Sequence, residues 1–233
     1  MVLTKKLFNL ISVSIVAMML LATSAVNAAD APSTEKTILI TNVSIFDGTS
    51  EKLITGKDVV VSGNTIAKLV PADSEGSNYD EVIDGKGGYL TPGIVDAHSH
   101  AVMGADEGLF FIGDHNYIQL FAAKEMGEML MRGVTTMRDA GGNTFALKKA
   151  IDDGTISGPR IYPSGAIISQ YSGHGDFRPG NPALLPKEWG GPLGPGEANG
   201  HVMLANGRDQ VMAAVRQQLF LGATQIKVAV GGG

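Results

Sequence analysis

From Leu90 onward, strand-like runs alternate with helix-like ones, and that alternation confines the chain to parallel β-sheet covered by helices. Gly93–Ala97 reads as the first strand. Tyr117–Arg132 reads as a helix, because Ile118, Phe121, Ala122, Met126, Met129 and Leu130 fall on one face at helical spacing. Gly133 stands where a glycine ends a helix. Val134–Met137 is the second strand, Phe145–Asp153 a short helix closed by Gly154, and Arg160–Ile168 the third strand. After a long loop, Asn206 stands as an N-cap ahead of Arg208–Leu221, where Val211, Val215 and Leu219 recur every fourth residue and Gly222 follows. Gln225–Val230 is the fourth strand. Such a rhythm builds a barrel or a doubly wound sheet.

Residues 36–90 follow a different pattern. Thr37–Phe46 is apolar with polar punctuation and ends in the turn Asp47-Gly48-Thr49. Asp58–Ser62 is β-branched and meets Gly63-Asn64, a hairpin signal, with Thr65–Val70 as the returning partner. A short strand, Glu81–Asp84, precedes Gly85, Gly87 and Gly88. The expectation is a small antiparallel sheet, separate from the α/β part.

Ahead of that sheet, Lys5 and Lys6 precede an apolar run from Leu7 to Ala22, followed by Thr-Ser-Ala-Val-Asn-Ala-Ala-Asp. A basic start, an apolar middle and small residues at Val26 and Ala28 make a secretory signal peptide over residues 1–28. The other reading is an uncleaved anchor, although the run is shorter than the ~20 residues that span a bilayer. No other run is long and apolar enough to cross a membrane. The expectation is therefore an exported protein, periplasmic or secreted, that leaves the membrane once residues 1–28 are removed.

Charge and cysteine content narrow the chemistry. The net charge is −5 and no Lys/Arg block stands out, which argues against nucleic acid or an anionic membrane surface as a partner. Cysteine is absent from the 233 residues. Any metal must then be held by His or carboxylate, or by something less usual. The 31 glycines cluster in loops rather than in a repeat.

The residues that carry chemistry sit at strand ends. In Asp96-Ala97-His98-Ser99-His100, side chains two apart on a strand share a face, about 7 Å apart along it. Two parallel imidazoles at a strand's end suit a transition metal. On its own, the pair reads more readily as two surface or hydrogen-bonded histidines. Arg138 and Asp139 read as a local ion pair supporting a metal site, or as a loop salt bridge. His174, between Gly173 and Gly175 and ahead of Asp176, reads as a substrate or supporting contact, or as a turn histidine without a role. His115 and His201 lie in expected loops and are assigned nothing. Trp189, in the Pro- and Gly-rich stretch from Pro179 to Gly200, is expected to pin its own loop rather than line a substrate mouth.

The run Leu90-Thr91-Pro92-Gly93-Ile94-Val95-Asp96-Ala97-His98-Ser99-His100, after a β region headed by Ile45-Phe46-Asp47-Gly48, resembles the amidohydrolase superfamily. Gly133-Val134-Thr135-Thr136-Met137-Arg138-Asp139-Ala140-Gly141-Gly142 is similar to that family's second strand and loop. Gly158-Pro159-Arg160, Ser169 and Gly173-His174-Gly175-Asp176 resemble its third, and Gly222 to Gly232 its fourth. Within the superfamily the likeness is to the imidazolonepropionase-like and Xaa-Pro dipeptidase (prolidase-type) group, over about residues 36–233.

The resemblance implies a (β/α)8 TIM barrel, here about four strands over residues 91–233, preceded by a partial β-sandwich over residues 36–90. It makes His98 and His100 metal ligands and Lys227 a candidate for carboxylation; otherwise Lys227 is a lysine snorkelling from a strand end. One or two divalent ions, zinc above all, are the implied cofactor. A metal-activated water would then hydrolyse an amide, cyclic amide or dipeptide bond of a small-molecule or dipeptide-like substrate. The family's proton-shuttle Asp and two further histidines come later than any residue here. A full barrel needs about 250 residues, more than Leu90–Gly233 provides. The alternatives to a hydrolase are a catalytically incomplete fragment, a half-barrel that needs another chain (a homo-oligomer is one form), or an exported metal-binding protein.

Overall fold

The computed structural model describes residues 35–73, 76–104, 114–178 and 185–232; the segment expected to be a signal peptide lies outside the described residues. The chain divides into two compact units, one up to Thr91 and one from Pro92 onward.

In the first unit, β1 (Thr37–Ile45), β2 (Lys57–Ser62), β3 (Thr65–Pro71) and β4 (Glu81–Leu90) form one sheet in the order β3-β2-β1-β4. The β2–β3 hairpin closes at Ser62 and Thr65, with Gly63 at a positive φ of 57°. Leu39, Val59 and Val60 are buried in this sheet. The expectation of an all-antiparallel sheet fails at β4, which runs parallel to β1. Parallel neighbours cannot be joined by a tight turn, and β2 and β3 lie between β1 and β4 in the chain. β4 also continues past Asp84, through the glycines expected to end it. Glycine there serves a close approach: a Cβ on Gly85 would stand 2.1 Å from the Val43 side chain. The register shifts there, between Thr41↔Asp84 and Val43↔Gly88: β4 bulges, setting Gly85, Lys86 and Gly87 against Asn42 (φ 54°) alone.

In the second unit, β5 (Ile94–Ser99), β6 (Val134–Asp139) and β7 (Arg160–Pro163) are parallel neighbours in that order. β8 (Ile167–Ser169) pairs in parallel with β9 (Val202–Leu204) on one side and β10 (Val228–Ala229) on the other. Helix α1 (His115–Met131) starts two residues before the expected boundary because Asp114 caps it, accepting the N–H of Asn116 at 2.9 Å and of Tyr117 at 3.1 Å. α2 spans Phe145–Asp152 and α3 spans Gly207–Phe220. Gly133, Gly154 and Gly222, the expected helix stops, all adopt positive φ.

Ile118, Ala122, Met126 and Met129 of α1 pack with Met137 of β6, Ile161 of β7 and Leu147 of α2 in one buried cluster. A smaller cluster joins Ile168, Ala205 and Ala214. The buried face of α3 runs through Val211, Ala214, Val215 and Gln218, so Leu219, expected inside, is 52% exposed.

The single strand expected over Arg160–Ile168 is broken at Ser164-Gly165-Ala166. There the chain changes partners: β7 pairs with β6, and β8 pairs with β9 and β10. Buried Gln218 stabilises the break, its Oε1 accepting the Ala166 N–H at 2.9 Å. Gly142 N–H donates to the Gly165 carbonyl, and Ser164 N–H to that of Asp139. β9 has no counterpart in the sequence pattern, because three residues carry too little alternation to register as a strand. Asn206 stands at the N-cap position without capping; its side chain instead accepts from Tyr171 N–H and donates to Glu188.

Candidate metal centre

β5 ends at Ser99, so His98 is its penultimate residue and His100 the first beyond it. The two rings lie 5.3 Å apart between centroids and are tilted by 56°. Asp96 stays local, its Oδ1 accepting the His98 N–H at 3.0 Å. His100 Nδ1 lies 3.2 Å from the Gly141 carbonyl. A carbonyl can only accept, so the ring proton resides on Nδ1 and Nε2 keeps its lone pair, the arrangement a metal-binding imidazole requires. Burial holds the His100 pKa below the ordinary imidazole value; the Gly141 hydrogen bond opposes this, and the nearby His98 and Lys227 add to it.

Lys227 reaches the same place from the far end of the chain. It immediately precedes β10, its carbonyl accepts the Ile168 N–H at 3.0 Å, and its Nζ lies 3.4 Å from His98 Nε2. The half-buried ammonium therefore donates to the lone pair that a metal would use. Among the described residues, no three His, Asp or Glu side chains cluster closely enough to hold an ion. Two imidazoles and a lysine are an incomplete donor set while the lysine is cationic. They fit a divalent ion once the lysine nitrogen carries an anionic oxygen ligand.

The remaining predicted residues divide. Asp139 is fully buried and faces away from the open side of β6, whereas Arg138 is exposed and donates from Nε to the Ala97 carbonyl at 2.6 Å. They form no ion pair. Asp139 instead accepts from the Ala101 N–H at 3.1 Å and from Thr144 Oγ1 at 2.8 Å. Asp176 is likewise engaged locally: it accepts from Arg178 Nε at 2.8 Å, Arg178 Nη2 at 2.5 Å and Ser172 N–H at 2.7 Å. The Arg178 hydrogen bond holds its carboxyl below the usual range. Arg178 also stacks over Tyr171, 5.7 Å from the ring centroid. These contacts hold the loop that carries His174, whose N–H donates to the Gly231 carbonyl at 3.0 Å while its side chain is exposed.

His201, assigned nothing from the sequence, is fully buried: its Nδ1 accepts the Asn143 N–H at 3.1 Å, and its ring lies 5.6 Å from that of His115. Burial, with His115 beside it, pushes its pKa down to about 4. Sequence reasoning has no signal for it, because the short strand it precedes is itself invisible there. Arg178 could have been found from its spacing, two residues after Asp176. Trp189 is 72% exposed and does not pin its loop. A cleft of about 710 Å³ bounded by Tyr171, Glu188, Glu197, Leu204 and Ala214 includes none of His98, His100 and Lys227.

Residues 89–227 match the model of the family described as Amidohydrolase family. The chain is 36% identical over 165 residues to ochratoxinase of Aspergillus niger, covering 62% of this chain and 31% of that protein. Among solved structures, a prolidase complexed with N-methylphosphonate-L-proline has 31% identity and a TM-score of 0.69, covering 83% of this chain and 46% of its own. A Xaa-Pro dipeptidase with methionine bound in its active site has 26% identity and a TM-score of 0.69, covering 85% of this chain and 48% of its own. The chain thus spans about a third of the curated relative it matches and just under half of these solved chains.

Proposed function

The chain belongs to the amidohydrolase family, and on that premise we propose that it carries the leading metal ligands of a hydrolase that cleaves carbon–nitrogen bonds with an activated water. The observation that carries this reading is the convergence of Lys227 on His98, across 129 positions of sequence, beside a His100 whose proton is held on the far nitrogen. His98 and His100 would hold a divalent ion through Nε2. Lys227 would complete the set as a carbamate: neutral Nζ bonds to the carbon of CO2 and releases one proton, turning a repelled cation into an anionic oxygen ligand. Such an ion, when bound, acidifies water and polarises the carbonyl under attack.

This chain's own residues orient and bind. Gly141 fixes the His100 tautomer. His174, on its clamped loop, and Arg138, exposed on the open side of β6, are the groups available to a substrate. Relatives named as prolidase and Xaa-Pro dipeptidase favour a small amide or dipeptide. The second unit is read as the opening strands of a (β/α)8 barrel preceded by part of a β-sandwich. In support, Ile94 and Val95 of β5 and Val228 of β10, each an outer strand of its sheet, are exposed, as side chains on an uncovered sheet face would be. That observation also favours the second reading, in which the chain is catalytically incomplete and acts only when further strands close the sheet. Export follows from the N-terminal segment and is part of the proposal.

The test is a titration of the protein with Zn2+ or Co2+ in bicarbonate buffer, alongside hydrolysis of a panel of Xaa-Pro dipeptides and N-acyl amino acids. Stoichiometric binding that requires both His98 and Lys227, with turnover of at least one amide, supports the hydrolase. Binding without turnover selects the incomplete chain, and no binding removes the metal reading.

A further inference from the structure

We propose that Asp139 is a positioning residue for the two histidines: its buried carboxyl group locks the turn that follows His100 to the end of β6, so that Gly141 keeps hold of the His100 ring. The inference rests on the reading of His98 and His100 as ligands.

The contacts make Asp139 a junction. Its Oδ1 accepts the N–H of Ala101, the peptide that follows His100, at 3.1 Å. Its Oδ2 accepts from Thr144 Oγ1, just before α2, at 2.8 Å. Its carbonyl accepts from Ser164 N–H at 3.0 Å, at the break between β7 and β8, and from Gln225 Nε2 at 3.2 Å, on the approach to β10. The next residue, Ala140, donates its N–H to the Ser99 carbonyl at 2.7 Å, and the one after it, Gly141, supplies the carbonyl that receives His100 Nδ1.

His100 is therefore held twice from one short segment, at its following peptide by Asp139 and at its ring by Gly141. The segment has little freedom to shift. A Cβ on Gly141 would stand 2.4 Å from Ile167, and one on Gly142 2.3 Å from Val102. Without the carboxyl group, the Ala101 N–H has no acceptor and the turn must move to find one. The ring then loses its alignment with Gly141. Outer partners that orient a metal-bound imidazole typically change metal affinity by about 10–100-fold.

Two measurements on the full chain test this. Nitrogen-15 NMR of the metal-free protein reads the His100 tautomer, and Co2+ titration against a competing chelator, followed by the visible spectrum, reads affinity and geometry. In the wild type, His100 should be a single tautomer with its proton on Nδ1. Asp139→Ala should average the two tautomers and weaken Co2+ by about 10–100-fold with an altered spectrum. Asp139→Asn keeps an oxygen for Ala101 and a partner for Thr144, so it should stay within about threefold of wild type. A wild-type tautomer in Asp139→Ala overturns the proposal, and so does an Asp139→Asn variant that falls as far as Asp139→Ala. If the wild type binds no Co2+, the ligand reading fails while the tautomer still decides the positioning role. Should Asp139→Ala not fold, Thr144→Val carries the test: a smaller shift in the same direction upholds the proposal, and none overturns it.

Discussion

Replacing Asp139 by Asn should change how stability depends on pH more than it changes stability at any one pH. Burial pushes the Asp139 pKa from 3.8 up to about 7, outweighing the hydrogen bonds from Thr144 and Ala101 that would lower it. The folded chain therefore keeps a proton that the unfolded chain has released. Its contribution is complete below the unfolded value and is lost as pH rises toward 7. Three pH units at ~1.4 kcal/mol each make about 4 kcal/mol at most. His201 works in the opposite sense: burial first, and His115 second, lower it from 6.5 to about 4. Folded His201 stays neutral while the unfolded residue protonates, so its contribution is present above pH 6.5 and is lost as pH falls toward 4, by about 3 kcal/mol. Between those limits the two slopes oppose each other in the wild type. The Asp139→Asn substitution removes the first and leaves the second. Urea unfolding followed by circular dichroism, in steps between pH 4 and pH 7, should give an Asp139→Asn stability that climbs with pH relative to wild type by up to about 4 kcal/mol. Equal slopes in the two proteins would mean that Asp139 is ionised throughout and would refute the reasoning.

Three further outcomes are expected. Lys227→Ala should weaken Zn2+ by more than about 100-fold, beyond the range that loss of an outer partner costs, because a direct ligand goes, and added propionate should restore part of it in calorimetric titration; wild-type affinity would remove Lys227 from the site. Gly141→Ala places a Cβ 2.4 Å from Ile167 at a backbone φ of 148°. With strain and overpacking of roughly 1–3 kcal/mol each, Tm should drop by about 5–15 °C, and an unchanged Tm would show that the close approach is not there. Met126→Ala empties a 2%-exposed position where α1 meets β6, so urea unfolding should report a loss of about 2–5 kcal/mol; a loss below about 1 kcal/mol, well under that range, would mean that α1 packs differently.

What can be read from the sequence follows the length and regularity of each element. α1 is legible because its apolar spacing persists over the whole helix and Gly133 stops it. β9 is not, since three residues within a loop have no period to detect. The broken third strand looks continuous for a related reason: Ser164-Gly165-Ala166 is a weak breaker in sequence, and only the change of partner, with Gln218 supplying the missing acceptor from α3, reveals a break. Parallel pairing of β4 is hidden because glycines mark a close approach as readily as an end. For Gly85 the decisive neighbour, Val43, is far away in the chain.

The site is legible where motif and geometry share a parity, and misread where parity is ignored. His98 and His100 are two apart, so they share a face, and their rings are found 5.3 Å apart. Arg138 and Asp139 are adjacent, and on a strand adjacent side chains must point to opposite sides. The strand assignment itself excludes an ion pair between them, since Val134–Met137 already reads as β and needs only Arg138 and Asp139 added to include both. Applied consistently, the same rule assigns the roles. Met137 is buried against α1, so Asp139 must be buried with it and act through the backbone it binds, while Arg138 must face the open side with the histidines' neighbour, Ala97. The acid that sequence reasoning pairs with Arg138 is thereby the one whose burial lets it hold the turn after His100 in place.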